Sequence, residues 1–239
     1  MNTNKPKFEH TWMLYALALI VVVLFVLLGN WQLDRAEQKR ELMKEFEAGL
    51  SGEVVSLSEA GRFQRVQLTG YYESERQLLL DNMVEKGRAG FHVLTVFKLV
   101  SGVNVVVNRG WLPFTSGRDD LPDISVDENA RTISGYTDTL PQVGLKMGGD
   151  IAVNADDSFP QLVHFPSMEE LSVIAGRELF PFVIKLDVDQ ADGYGRDWQV
   201  VTFGPDRHLA YALQWFSLAL VVVVVTIVMH RRKRKKRNE

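Results

Sequence analysis

Few side chains in this sequence combine into a recognisable reactive set. A nucleophile needs a base, usually histidine, beside a serine or cysteine, and there is no cysteine among the 239 residues. Neither His92 nor His164 sits in a nucleophile elbow, and no G-x-S-x-G, H-E-x-x-H, Walker or dinucleotide fingerprint occurs. The carboxylate pairs Asp119-Asp120 and Asp156-Asp157 fall in loop-like stretches, where solvated charge is expected rather than acid–base work. The residues therefore support no enzyme.

What could do chemistry gathers near two apolar runs. His208 opens the second run after Gly204-Pro205-Asp206-Arg207. On a helix advancing about 100° per residue, His208, Tyr211, Trp215 and Ala219 share one face. Such a face reads as an interfacial aromatic belt with a polar cap, or as an axial ligand for a membrane-soluble metalloporphyrin with rings against the macrocycle. Gln214 lies off that face, two turns into the run, where it would bond a neighbouring helix or a partner. Trp31 and Gln32 mark the matching end of the first run. A second feature is Val105–Pro113, where a hydrophobic strand ends in Asn108, Arg109, Gly110 and Trp111. Arg109 could clasp a carboxylate such as a porphyrin propionate in a bidentate fork, or pair with an acid of its own domain. Gly110 is expected to adopt a backbone angle that other residues avoid. His10 and His230 flank the far ends of the two runs and read as interfacial.

These groups are positioned by two membrane spans. No charged side chain occurs from Thr11 to Leu33 or from Leu209 to Met229, and roughly 20 apolar residues make a helix long enough to cross the hydrocarbon. The first run lacks a small-x-small cleavage site, so it reads as a retained anchor rather than a signal peptide. Seven of the last nine residues are Lys or Arg, which places the C-terminus in the cytoplasm. Two spans then put the N-terminus there too, in agreement with Lys5 and Lys7. The division expected is a cytoplasmic segment 1–10, a span 11–31, an external domain 32–207, a span 208–229 and a basic tail 230–239. With no long Arg- and Ser-rich leader, the expected site is a bacterial inner (plasma) membrane, with the domain periplasmic.

Residues 34–207 carry 28 acids against 18 bases, a net of −10. That balance excludes nucleic-acid binding, which needs a basic excess to displace counterions. The absence of cysteine excludes disulfides, Cys-zinc sites, thiol redox work and iron–sulfur ligation. Within the domain, Asp34–Leu50 reads as a helix continuing out of the first span. Strands are predicted at Val66–Tyr72, Leu78–Leu80, Phe91–Val100, Val103–Val107, Arg131–Tyr136, Ile151–Asn154, Phe182–Val188 and Gln199–Phe203. A helix follows the capping box at Ser167 and ends at Gly176. Pro113–Asn129 and Pro141–Asp150 read as surface loops. The expected fold class is α+β, two transmembrane helices bracketing a β-rich domain that is antiparallel and barrel-like.

Taken in order, these blocks resemble the surfeit-locus (Surf and Shy) family of cytochrome c oxidase assembly factors. Leu28-Gly29-Asn30-Trp31-Gln32-Leu33-Asp34-Arg35 is similar to that family's LGxWQxxR signature, and Val66–Tyr72 to its V-x-L-x-G-x-[FY] segment. Gly90–Thr95 followed by Val106–Pro113 resembles its most recognisable block, and His208–Phe216 its second-span opening. The likeness runs from about residue 28 to 220, loosely across 112–180, and Val96 stands where members often carry Pro. It implies a non-catalytic role in maturing haem-copper terminal oxidases, in which bacterial members bind haem a transiently and help place it in oxidase subunit I alongside other assembly factors. By that implication His208 ligates or hands over the haem iron and Tyr211 and Trp215 line the site. Gly29, Trp31, Gln32, Arg35, Asn108, Arg109, Gly110, Trp111 and Gln214 are then structural or contact a partner. Haem would be captured at the outer membrane edge and passed on when oxidase helices dock on the Gln214 side.

Two rivals stand beside this reading. One is a scaffold that binds oxidase subunits through its external domain and never holds cofactor. The other is a membrane-anchored hydrolase, which needs His92 or His164 within reach of a serine and an acid.

Overall fold

A computed structural model describes residues 9–114, 121–141, 159–200 and 203–238. The chain divides into two compact units, residues 1–44 with 199–239 and residues 45–198.

The first unit is a helix pair. Helix α1 (Glu9–Ser51) carries the first apolar run without a break into the charged stretch beyond it, and helix α3 (Pro205–Asn238) carries the second. Helix α2 (Met168–Ala175) belongs to the other unit. By length and composition both α1 and α3 are able to cross a membrane, and most of their Leu, Ile and Val side chains are exposed, as a bilayer solvent requires. On each helix a row of residues withdrawn from the surface follows a 4-3-4-3-4 spacing. On α1 the row is Ala18, Val22, Phe25, Gly29, Gln32 and Ala36; on α3 it is His208, Ala212, Trp215, Ala219, Val222 and Thr226. This heptad-like seam brings the helices together antiparallel: Gln32 meets His208, Phe25 meets Trp215, and Tyr15 meets His230. Gly29 lets them approach, since a Cβ there would lie 2.6 Å from the Phe216 ring.

The second unit is built on one mixed sheet of six strands: β1 (Arg65–Glu85), β2 (Arg88–Leu99), β3 (Asn104–Pro113), β4 (Arg131–Asp138), β5 (Gln161–Val163) and β6 (Val183–Leu186). Their order is β2-β3-β6-β4-β1-β5, and β1 also pairs with β2. The pairings thus run from β1 through β2, β3, β6 and β4 back to β1. The segments predicted at Val66–Tyr72 and Leu78–Leu80 are one strand. Register breaks between Tyr72 and Gln77 and between Leu80 and Met83 let β1 keep β2 on one edge while its other edge passes from β4 to β5. The expectation of an antiparallel sheet is corrected, because β1–β5 and β3–β6 are parallel. Parallel neighbours need a crossover, and the one from β3 to β6 contains β4, β5 and α2.

The capping box is present: Ser167 Oγ accepts from Glu170 N, the Glu170 carboxylate accepts from Ser167 N, and Gly176 closes the helix in the left-handed region. The hairpin at Ser101-Gly102 is also present, with Gly102 at φ 90°. Of the last predicted strand, Gln199, Val200 and Phe203 lie in no strand, and Val201 and Thr202 lie outside the described residues. Ile151–Asn154 and all of Pro141–Asp150 after Pro141 lie outside the described residues. Within the predicted loop Pro113–Asn129, residues 121–129 have no regular structure, yet Ile124 is buried against Leu79, Phe91 and Val93. That stretch is therefore part of the core as well as of the surface. Buried clusters lie on both faces of the sheet, one around Leu78, Leu94 and Val106 under α2, the other around Tyr72, Phe97 and Val107.

Candidate functional site

His208 stands in the first turn of α3, half-buried on the seam. Its Nδ1 donates to Gln32 Oε1 at 2.8 Å. That bond occupies Nδ1, and among the described residues nothing hydrogen-bonds to Nε2. An imidazole whose second nitrogen is held by a neighbouring acceptor is how proteins orient a histidine toward a metal. Gln32 is thus the positioning partner that the sequence does not announce, although its depth at the matching end of the first span is a readable signal.

The aromatics expected beside His208 separate. Tyr211 is 48% exposed and free to face a ligand. Trp215 turns into the seam instead, its ring 5.5 Å from that of Phe25 and its Nε1 buried without a partner among the described residues. An α-helix spreads residues at i, i+3 and i+7 over an arc, and the α1 contact takes one edge of it. Gln214 is exposed, directed away from α1. Trp31 is half-exposed, with the Arg35 guanidinium over its ring at 5.7 Å while Arg35 also donates to Gln38. His230 Nδ1 pairs with Tyr15 OH at 2.9 Å; the side chain of His10 lies outside the described residues.

The Asn108–Trp111 block is in the sheet domain and internal to it. Gly110 pairs with Val93 and Asn108 with Leu94, so Arg109 is the extra residue of a β-bulge. Gly110 adopts φ 118°, and a Cβ there would meet Gly195 O at 2.6 Å. The bulge sends Arg109 inward, 2% exposed. Its Nε donates to Asp192 O at 2.7 Å, and its Nη1 to Gln77 Oε1 at 2.9 Å and Ile124 O at 3.0 Å. The guanidinium also lies over the rings of Tyr72 and Tyr194. Neither sequence alternative holds: Arg109 is too enclosed to clasp a porphyrin propionate, and its acceptors are carbonyls and an amide rather than a carboxylate. Trp111 is tied down through Nε1 to Met83 O.

Asn108 Nδ2 donates to His92 Nδ1 at 2.8 Å. Burial, reinforced by the Lys185 charge, pulls the His92 pKa down to about 4, so His92 is a neutral core residue. His164 Nδ1 lies 3.4 Å from Asp81 Oδ2 and 3.3 Å from Asn82 Nδ2. Among the described residues no hydroxyl hydrogen-bonds to either ring, so the nucleophile set that a hydrolase needs is not assembled there.

A model of the SURF1 family matches residues 19–220. A SURF1-like protein of Rickettsia felis is 23% identical over 217 residues, covering 84% of this chain and 90% of its own. A SURF1-like protein of Monosiga brevicollis is 24% identical, covering 87% and 83%. Surfeit locus protein 1 of Xenopus tropicalis is 24% identical over 238 residues, covering 88% and 73%. The family match spans the helix-terminal histidine, its Gln32 partner and the whole sheet domain.

Proposed function

The chain belongs to the SURF1 family, and from that premise we propose that it is a membrane-anchored assembly factor for a haem-copper terminal oxidase, presenting His208 to a haem a in transit to oxidase subunit I. The observation that carries this is the Gln32–His208 bond, which holds the ring by Nδ1 and leaves Nε2 without a hydrogen-bond partner among the described residues. A bound haem would supply an iron for His208 to ligate and an apolar body suited to lipid. The chain's own contribution is to hold one imidazole nitrogen in place, to offer Tyr211 as an open aromatic face, and to leave Gln214 exposed for a partner helix. Trp215 supports the seam rather than the cargo.

The basic tail supports a two-pass topology with both termini cytoplasmic and the acidic domain periplasmic in a bacterial plasma membrane. The ring of strand pairings supports the barrel-like reading of that domain. The role is one of binding and positioning, not catalysis.

The test is the visible spectrum of the full chain purified in detergent from cells that make haem a. Wild type should show Soret and α bands that are lost or shifted in His208→Ala. Gln32→Leu should retain the bands with weaker occupancy, since loss of an orienting partner typically lowers metal affinity by roughly 10–100-fold. A colourless wild type at full haem supply refutes the cofactor role and leaves the scaffold. Bands unchanged in His208→Ala keep the haem but move its ligand. The scaffold reading has one observation in its favour: Trp215 and Arg109, two residue types suited to a haem pocket, are both committed to internal contacts.

A further inference from the structure

The sheet domain contains a cleft of about 490 Å³ that none of the residues above accounts for. One wall is apolar: Phe46 and Leu50 from the last turns of α1, with Val188 and the indole of Trp198. The indole is fixed by its Nε1 bond to Leu186 O at 2.9 Å. The cleft is also lined by two guanidinium groups. Arg65 uses Nη2 on Asp187 Oδ2 at 2.5 Å, and among the described residues its other N–H groups make no side-chain bond. Arg196 spends Nε on Tyr194 O and Nη1 on the carbonyls of Asp187 and Gln190, so among the described residues no acid pairs with it. Asp189, the other acid of the cleft, is on the exposed rim.

Tyr136 also lines the cleft, 3% exposed, and its hydroxyl has no hydrogen-bond partner among the described residues. A buried hydroxyl without a partner costs about 1–3 kcal/mol, and a group left so deserves a reason. Burial, with Asp138 and Asp187 nearby, raises its pKa, so it stays protonated and can gain by donating to an acceptor. A free donor, two guanidinium groups with spare N–H and an aromatic–aliphatic wall together describe a site for a head and a tail.

We infer that this cleft binds an amphiphile with a carboxylate or phosphate head, the head held by Tyr136 Oη, Arg65 and Arg196 and the apolar chain lying along Phe46, Leu50, Val188 and Trp198. The volume admits a head with part of one chain. A free fatty acid and an anionic phospholipid share this chemistry. Phe46 and Leu50 stand on the end of α1, and Trp198 is seven residues ahead of α3. The inference does not depend on His208.

The test uses the full chain in nonionic detergent, without haem, and contact quenching of tryptophan by bromine. Five tryptophans are present, so the difference between wild type and Trp198→Phe isolates the cleft. Dibromostearate or dibrominated phosphatidylglycerol should quench the Trp198 component with saturation. Tyr136→Phe should weaken that binding about tenfold, the value of one charge-assisted hydrogen bond, and leave the ligand-free thermal unfolding no lower than wild type, because the hydroxyl has no partner to lose among the described residues. Arg65→Gln should weaken it as well. Saturation by the stearate alone identifies a fatty acid, and saturation by the phosphatidylglycerol identifies a lipid head. The inference is overturned if Trp198 is unquenched, if zwitterionic dibrominated phosphatidylcholine quenches it equally, if inorganic phosphate binds as tightly as the amphiphiles, or if Tyr136→Phe binds like wild type.

Discussion

Replacing Arg109 separates an internal brace from a contact for cargo or partner. In Arg109→Gln the carbonyls of Asp192 and Ile124 lose their guanidinium donors, at 2.7 and 3.0 Å. Gln77 Oε1 keeps a second donor in Thr95 Oγ1. Two orphaned carbonyls cost about 1–3 kcal/mol each, and the stack between Tyr72 and Tyr194 is lost besides. Removing a buried charge returns part of its desolvation cost, so the net expectation is about 3 kcal/mol, a large share of a domain's roughly 5–15 kcal/mol. Unfolding of the sheet domain should then fall by about 6–12 °C. Arg109→Lys should fare no better, because an ammonium keeps the buried charge but cannot span the same acceptors. Hydrogen exchange of the β3 amides in the full chain reads this unit apart from the two long helices. If either variant kept wild-type protection yet failed to support oxidase assembly, the brace argument would be wrong and Arg109 would be a contact residue.

Two further outcomes follow from the geometry. His92 has its pKa lowered to about 4 in the folded chain from 6.5, so on acidification the unfolded chain takes up a proton that the folded chain refuses. Stability should therefore fall as pH drops from about 6.5 to about 4, by about 3 kcal/mol in total; urea unfolding across that window should show the slope in wild type and a flatter one in His92→Gln. In the helix pair, Gly29→Val places side-chain atoms where the Phe216 ring now lies 2.6 Å from a Cβ position. Because the chain has no native cysteine, a Phe25→Cys/Trp215→Cys pair reports the seam directly: its disulfide yield should drop severalfold with Gly29→Val and recover when Phe216→Ala is added. An unchanged yield would show that the helices do not meet at Gly29.

Much of the architecture was legible along the chain because it rests on local physics. Two charge-free runs of bilayer length, the capping box at Ser167, the Ser101-Gly102 hairpin and the alternation at Val66–Tyr72 each state their structure within a few residues. The family resemblance was legible for the same reason, since its blocks are contiguous. Gln199, Val200 and Phe203, predicted as part of a strand, are not in one, because a strand exists only where a neighbour offers its edge.

Tertiary structure decided what distant residues do to one another. No periodicity pairs Gln32 with His208, 176 positions apart, and that pairing selects the nitrogen left open. A bulge one residue long turns Arg109 from the strand surface into the core, and register breaks divide one edge of β1 between two partners. Tyr136 and Arg196 read as ordinary strand and loop residues until β4, the end of α1 and the segment after β6 close around them. A sequence specifies torsions and amphipathic faces locally, whereas hydrogen-bond partners and buried charges depend on which faces meet in space.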